Sequence, residues 1–119
     1  MKIKILTDEF SVMKYAKMPA GLEKPYFTAG TEDENSVLCK TKSRPGGWLE
    51  CEDGFCGMMI DAELDFSLIG IISRISTILA DNDISVFVVS TFNTDYIFVK
   101  KEDLALSAQL LSASGYEII

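Results

Sequence analysis

The feature that most constrains this chain is a change of period inside one apolar stretch, residues 64–99, LDFSLIGIISRISTILADNDISVFVVSTFNTDYIFV. Leu68, Ile71, Ile72, Ile75, Ile78 and Leu79 recur at helical spacing, while Ser73, Arg74, Ser76 and Thr77 fill the other face. The spacing predicts a helix over 67–81. Ser67 serves as N-cap, Asp65 lies near the positive end of the helix dipole, and Asn82 ends the helix by tolerating the left-handed conformation. From Ile84 the pattern becomes β-branched and aromatic on both faces, which predicts buried strands over 84–89 and 96–99. Residues 91–94 suffice only for a tight turn, so these strands are expected to be antiparallel neighbours. Two polar clusters interrupt the stretch: Asp65-Phe66-Ser67, and Ser90-Thr91-Phe92-Asn93-Thr94-Asp95. They fall where a helix begins and where the chain turns, places that can hold a ligand.

The remaining chain reads as short strands and turns. Residues 1–6 alternate Lys2 and Lys4 against Ile3 and Ile5, a half-exposed strand, and residues 10–16 read as a second one. Residues 18–25 hold two prolines and Gly21, hence a loop, and 26–29 form a third strand. Thr31-Glu32-Asp33-Glu34 fits a capping box opening one helical turn, its acidic residues solvated, before a strand at 36–40. TKSRPGG at 41–47 reads as a linker between halves 1–45 and 46–119. Residues 48–52 and 57–62 then read as paired strands around a tight Asp53-Gly54 turn. A helix over 102–114 buries Leu104, Ala108 and Leu111 and stops at Gly115, and 116–119 closes as a strand. The second half is strand–helix–strand–strand–helix–strand. Laying both helices on one face of a four-stranded antiparallel sheet gives an α+β, ferredoxin-like βαββαβ plait. The first half is helix-poor and is expected to pack against it.

Composition narrows the function classes. A formal charge of −7 over 119 residues lacks the electrostatic footprint for nucleic acid and would be repelled by an anionic membrane surface. The apolar runs are too short to span a bilayer, and MKIKILTDEF lacks signal-peptide architecture, so the cytoplasm is the expected location. The absence of histidine removes His-based acid–base catalysis, His-dependent triads and most zinc sites. Cys39, Cys51 and Cys56 are odd in number and form no C-x-x-C, which suits small buried hydrophobes better than disulfides or a metal site. No nucleotide-binding glycine motif is present, and no metal or cofactor is expected.

The segments LDFSLIGI (64–71) and ISVFVVSTFNTDYI (84–97) resemble the ACT-domain family, in particular CASTOR-type cytosolic arginine sensors and the regulatory regions of aspartate kinases. TEDENSV (31–37) resembles the matching stretch in the abbreviated N-terminal ACT-like half of small bacterial members. The resemblance thus covers nearly all of the chain, and STFNTDY (90–96) is its most specific part. It implies a non-catalytic regulatory module that binds a small amino-acid-like ligand between ACT units, and a homodimer. The implied contacts are Asp65, Phe66, Ser67, Leu68, Ile69, Gly70 and Ile71 on the loop into the first helix, with Thr91, Phe92, Asn93 and Asp95 on the strand-turn.

Physical chemistry makes the same places attractive. Free N–H groups before Ile71 can receive a carboxylate, Gly70 admits close approach to the backbone, and Asp95 can pair with an ammonium group. The arginine sensors carry an acidic residue where this chain has Leu68, so an apolar ligand side chain fits better than a guanidinium. Each residue also has a plainer reading. Asp65 and Ser67 can serve as caps, Asp95 as a turn former, Gly70 as a packing residue, Trp48 and Phe66 as core, and Arg74 and Lys100 as solvated charges. A structural ACT-type oligomerisation unit without ligand is therefore the first alternative. A small carboxylate-using enzyme built on Asp65 and Asp95 is the second, ranked last because no acid–base pair is readable.

Overall fold

The computed structural model describes residues 1–61 and 69–119. The protein is mixed α/β, with a largely antiparallel sheet and two α-helices. In chain order the elements are β1 (Lys2–Tyr15), β2 (Phe27–Gly30), β3 (Asn35–Lys40), β4 (Glu50–Ile60), α1 (Ile71–Ala80), β5 (Phe87–Ser90), β6 (Asp95–Lys100), α2 (Leu104–Ala113) and β7 (Glu117–Ile118). They form two compact units. One is Asp8–Phe55, and the other combines Met1–Thr7 with Cys56–Ile119. Strands β1 and β4 contribute residues to both, and each unit is taken by itself below.

Two expected breaks are absent. The anticipated pair of N-terminal strands is the single strand β1, because Asp8 on it is held by Lys42 at 3.1 Å and Lys40 at 3.4 Å, so a charged residue sits in a strand without ending it. The anticipated Asp53-Gly54 turn is the interior of β4. Gly54 takes a φ of +87° there, a conformation a strand can absorb as a bulge, and the Asp53 carboxylate is engaged by side chains instead of by a turn.

In unit 8–55 the strand order is β2-β3-β1-β4. Phe10 to Tyr15 pair antiparallel with Lys40 to Asn35. Met13, Tyr15, Val37 and Cys39 make the core. The expected helical turn at 31–34 is the hairpin turn joining β2 to β3: Gly30 pairs with Asn35, and the Thr31 N–H donates to the Glu34 carbonyl at 2.9 Å. Thr31 does cap backbone, since its Oγ1 accepts from the Asp33 and Glu34 amides at 3.2 and 3.0 Å. Glu34 does not reach back to it; its carboxylate accepts from the Ser36 hydroxyl.

The other unit carries both helices. Its strand order runs β1-β4-β6-β5, and β7 pairs in parallel with β1, Lys2 opposite Glu117 and Ile3 opposite Ile118. The βαββαβ reading does not count β1 in this sheet; here it lies between β7 and β4. Ile75 and Leu79 of α1 and Leu111 of α2 are buried with Ile3, Met58, Ile60, Ile97 and Val99.

Helix α1 begins later than the spacing implied, at Ile71, with left-handed Gly70 as its N-cap. Ser67, the expected cap, lies outside the described residues. The helix ends through Asp83 rather than Asn82. Asp83 takes the left-handed conformation (φ 59°) and the Ile84 amide donates to the Leu79 carbonyl at 3.0 Å, while the Asn82 side chain caps the Ile78 carbonyl at 3.0 Å. Helix α2 follows a 3-10 turn at Lys101–Asp103, and Gly115 at φ +100° ends it as expected. Strand β5 was expected to be buried on both faces. Among the described strands it is instead the edge of the sheet, with Phe87 and Val88 exposed.

The two hairpins repeat at a spacing of sixty residues. β2, its turn, β3 and a 3-10 turn occupy 27–43; β5, its turn, β6 and a 3-10 turn occupy 87–103. The second turn reproduces the first: the Thr91 N–H donates to the Thr94 carbonyl at 2.8 Å, and Thr91 Oγ1 accepts from the Thr94 amide at 3.3 Å. The buried triplets Val37-Leu38-Cys39 and Ile97-Phe98-Val99 also correspond.

Gly57 marks the tightest packing. A β-carbon there would lie 2.7 Å from the Phe98 ring and 2.9 Å from Leu6 Cδ1, and the Phe98 ring is fixed edge-on to its cross-strand partner Phe87 at 6.4 Å. Gly57→Ala is expected to destabilise the protein by about 1–3 kcal/mol through overpacking, read as a lowered midpoint in urea at unchanged slope.

Candidate functional site

The hairpin turn 91–94 borders an open groove of about 340 Å³ lined by Met59, Ile60, Asp61, Thr91, Asn93, Thr94 and Tyr96. Local chemistry sets its shape. Buried Thr94 donates from Oγ1 to the Ile60 carbonyl at 2.7 Å and so ties the turn to the end of β4. Thr91 Oγ1 donates to the Thr94 carbonyl at 2.9 Å. The Asp61 amide donates to the Lys2 carbonyl at 2.9 Å, leaving its carboxylate exposed. The groove therefore offers a carboxylate, an amide and a phenol beside an apolar floor. Among the described residues its lining holds no cation, so it suits an ammonium or hydroxyl group better than an anion.

The expected contacts are distributed unevenly around this groove. Thr91 and Asn93 line it together. Asp95 opens β6 opposite Ser90 and is half-buried, and Phe92 projects from the turn, 80% exposed. Ile69 is 86% exposed, and Gly70 is the N-cap of α1. Ile71 is half-buried against the core and lines a different groove. Asp65, Phe66, Ser67 and Leu68 lie outside the described residues. Sequence reasoning passed over Asp61, Thr94 and Tyr96. Asp61 had one usable signal, a carboxylate directly after the apolar run Met58-Met59-Ile60; the lining role of the other two follows from the hairpin register alone.

Unit 8–55 holds a second polar constellation, also missed. Asp53 accepts from the buried Ser11 hydroxyl at 2.6 Å and from the Cys51 thiol at 3.3 Å, and is ion-paired with Arg44. Ser11 also shares a 2.6 Å hydrogen bond with Thr41. Arg44 lies over the Trp48 ring at 4.6 Å, and Tyr15 donates to the Pro45 carbonyl at 2.6 Å. Trp48, expected in the core, is half-exposed because its ring serves as the platform for this guanidinium. Cys39 is buried and Cys51 and Cys56 are half-buried, in keeping with their reading as strand hydrophobes. Burial, then the Asp53 carboxylate, pushes the Cys51 thiol up, away from the reactive thiolate. No group of metal-ligating side chains occurs among the described residues.

The ACT-domain family matches residues 50–113, more than half of the sequence. The chain belongs to the ACT-domain family. The crystal structure of Atu0741 from Agobacterium tumefaciens is similar over 99% of this chain and 91% of that one, at 27% identity and a TM-score of 0.89. VC0802 from Vibrio cholerae, a protein of unknown function described as a possible transport protein, shares the fold at 19% identity, with a TM-score of 0.73 over 94% and 88% of the two chains. No curated protein matches the chain. ACT domains are regulatory ligand-binding modules as a rule. No described helix is long and apolar enough to cross a membrane.

The Asp53 constellation predicts an acid response. Hydrogen bonds from Ser11 and Cys51, then the charge of Arg44, outweigh burial and hold the Asp53 carboxyl below its usual range. A depressed carboxyl contributes stability above the unfolded value, about 3.9, and loses it as pH falls through the lower folded value. Fluorescence of Trp48, the sole tryptophan, should therefore change below about pH 4, and Asp53→Asn should abolish that transition.

Proposed function

We propose that this ACT-domain protein is a non-catalytic regulatory module that binds a small amino-acid-like ligand. Residues 46–119 form the principal ACT unit, a ferredoxin-like plait whose order β1 interrupts, and 1–45 the abbreviated ACT-like half. The hairpin repeat at sixty-residue spacing supports that division. Its place in the family is beside the CASTOR-type and aspartate-kinase regulatory domains. The observation that carries the reading is the groove at the turn, where Thr91 and Asn93 stand with Asp61.

In this reading the N-terminal backbone of α1 takes the ligand carboxylate, Asp95 takes the ammonium group with Thr91 and Asn93 as neutral partners, and the apolar character of Leu68 disfavours a guanidinium ligand. The protein works in the cytoplasm as a homodimer. The place of β5 at the edge of the described sheet, with Val88 exposed, supports self-association. The structural reading has one observation of its own: the Thr91 and Thr94 hydroxyls are already bonded within the protein.

A thermal-shift screen against the common amino acids separates the two. A ligand at a hundredfold excess over its dissociation constant adds about 2.7 kcal/mol, a rise of roughly ten degrees for a domain of this size. Asp95→Asn is expected to remove most of that rise while leaving the unliganded melting temperature nearly unchanged. The absence of a shift with every amino acid would replace sensing with the structural role.

A further inference from the structure

A second groove, of about 400 Å³, runs along α1 and faces the turn after α2. Ile71, Arg74 and Ile78, which share one face of α1, form one wall. Ser114, Gly115 and Tyr116 form the other, with Met1 at the end. Its polar character is the reverse of the groove at the hairpin turn. Arg74 is the only charged side chain of α1, and among the described residues the lining contains no aspartate or glutamate.

Three observations bear on Arg74. Its exposed guanidinium, like the ammonium groups of Lys2, Lys4, Lys17, Lys24 and Lys100, forms no ion pair among the described residues, whereas Lys14, Lys40, Lys42 and Arg44 have carboxylate partners. It is the fourth residue of α1, near the positive end of the dipole, where a cation is disfavoured and helix stability gives no reason for one. It also stands between Ile71 and Ile78, both packed against the core, so the charge borders a fixed apolar wall.

We propose that this groove binds a monocarboxylate with an apolar tail. Arg74 receives the carboxylate, Ile71 and Ile78 contact the tail, and the Ser114 and Tyr116 hydroxyls stand on the opposite wall as neutral partners. Among the described residues the lining lacks a carboxylate for an ammonium group, so the groove selects a simple organic acid over the amino acid of the same carbon skeleton. The inference goes beyond the amino-acid reading and does not rest on it: the described linings of the two grooves share no residue, and the carboxylate is taken here by the Arg74 side chain and not by the backbone at the start of α1.

The test is a titration of the isotopically labelled, full-length protein with 4-methylpentanoate, followed by amide and Arg74 side-chain NMR shifts, with leucine and 4-methylpentan-1-ol as comparison probes. Saturable shifts at Ile71, Arg74, Ile78 and Tyr116, with the acid binding at least about tenfold more tightly than either comparison probe, are expected. Arg74→Gln should weaken binding of the acid by about tenfold or more with the spectrum otherwise retained, and Arg74→Lys should restore part of it. The proposal is overturned by no saturation up to about 10 mM acid, by equal binding of the alcohol, by shifts confined to Thr91–Tyr96, or by an unchanged affinity in Arg74→Gln. A failed amino-acid screen leaves this result standing, because every probe of that screen carries an ammonium group and 4-methylpentanoate carries none.

Discussion

The helix-bearing unit depends on one packing constraint: α1 and α2 each have a stripe to bury, and they bury it with the alternate residues of β4 and β6. Ile75, Leu79 and Leu111 meet Met58, Ile60, Ile97 and Val99, all almost fully removed from water. At roughly 25 cal/mol per Å² of apolar surface, burial of such side chains is the dominant favourable term. Alternation then fixes what the other residues of these strands do. Between Ile97 and Val99, Phe98 points the opposite way and meets Gly57 and Leu6, which is why β4 carries a glycine at that point. The hairpin turn and the first turn of α1 hang from this packed frame, so the groove residues are positioned by strands that cannot slip without turning their apolar residues outward.

The hairpin itself is built by a threonine used twice. Thr31 and Thr91 each receive the amide of the residue three positions on, and each closes its turn against a carbonyl at that same position. The repeated turn carries different chemistry in the two units. Around Thr31 the turn is acidic and solvated; around Thr91 it is uncharged, and its neighbour Asp61 supplies the carboxylate. One backbone device thus serves two settings, and the functional distinction lies in the side chains grafted onto it.

Charge is distributed with the same economy. Most of the cations that the structure pairs lie in unit 8–55, where Lys40, Lys42 and Arg44 hold strands and the 41–47 segment through Asp8, Glu23 and Asp53. Exposed pairs of this kind contribute little individually, but Arg44 also stacks on Trp48 and reaches the Ser11–Asp53 hydrogen bond, which makes it part of a network. Arg74 in the other unit has no such partner among the described residues and borders the apolar wall of Ile71 and Ile78.

Much of this was legible in the sequence. The change of period after residue 82 placed α1 and the β5–β6 hairpin, Gly115 ended α2, and the four residues 91–94 required the tight turn that is present, because these signals act through local sterics and near-neighbour hydrogen bonds. Local signals failed where a distant partner decided. The charged residues near Asp8 and the Asp53-Gly54 pair read as breaks, yet lysines from β3 and the segment after it, a hydroxyl from β1 and the Arg44 guanidinium satisfy them within continuous strands. The run 84–89 read as fully buried, because periodicity reports the faces of a strand and not whether another strand lies beside it. Tertiary structure alone placed β7 against β1, brought Asp61 to Thr91 and Asn93, and left Arg74 without a partner among the described residues, beside Ile71 and Ile78. Those outcomes depend on which segments become neighbours, and that is settled by burying the whole set of apolar faces at once.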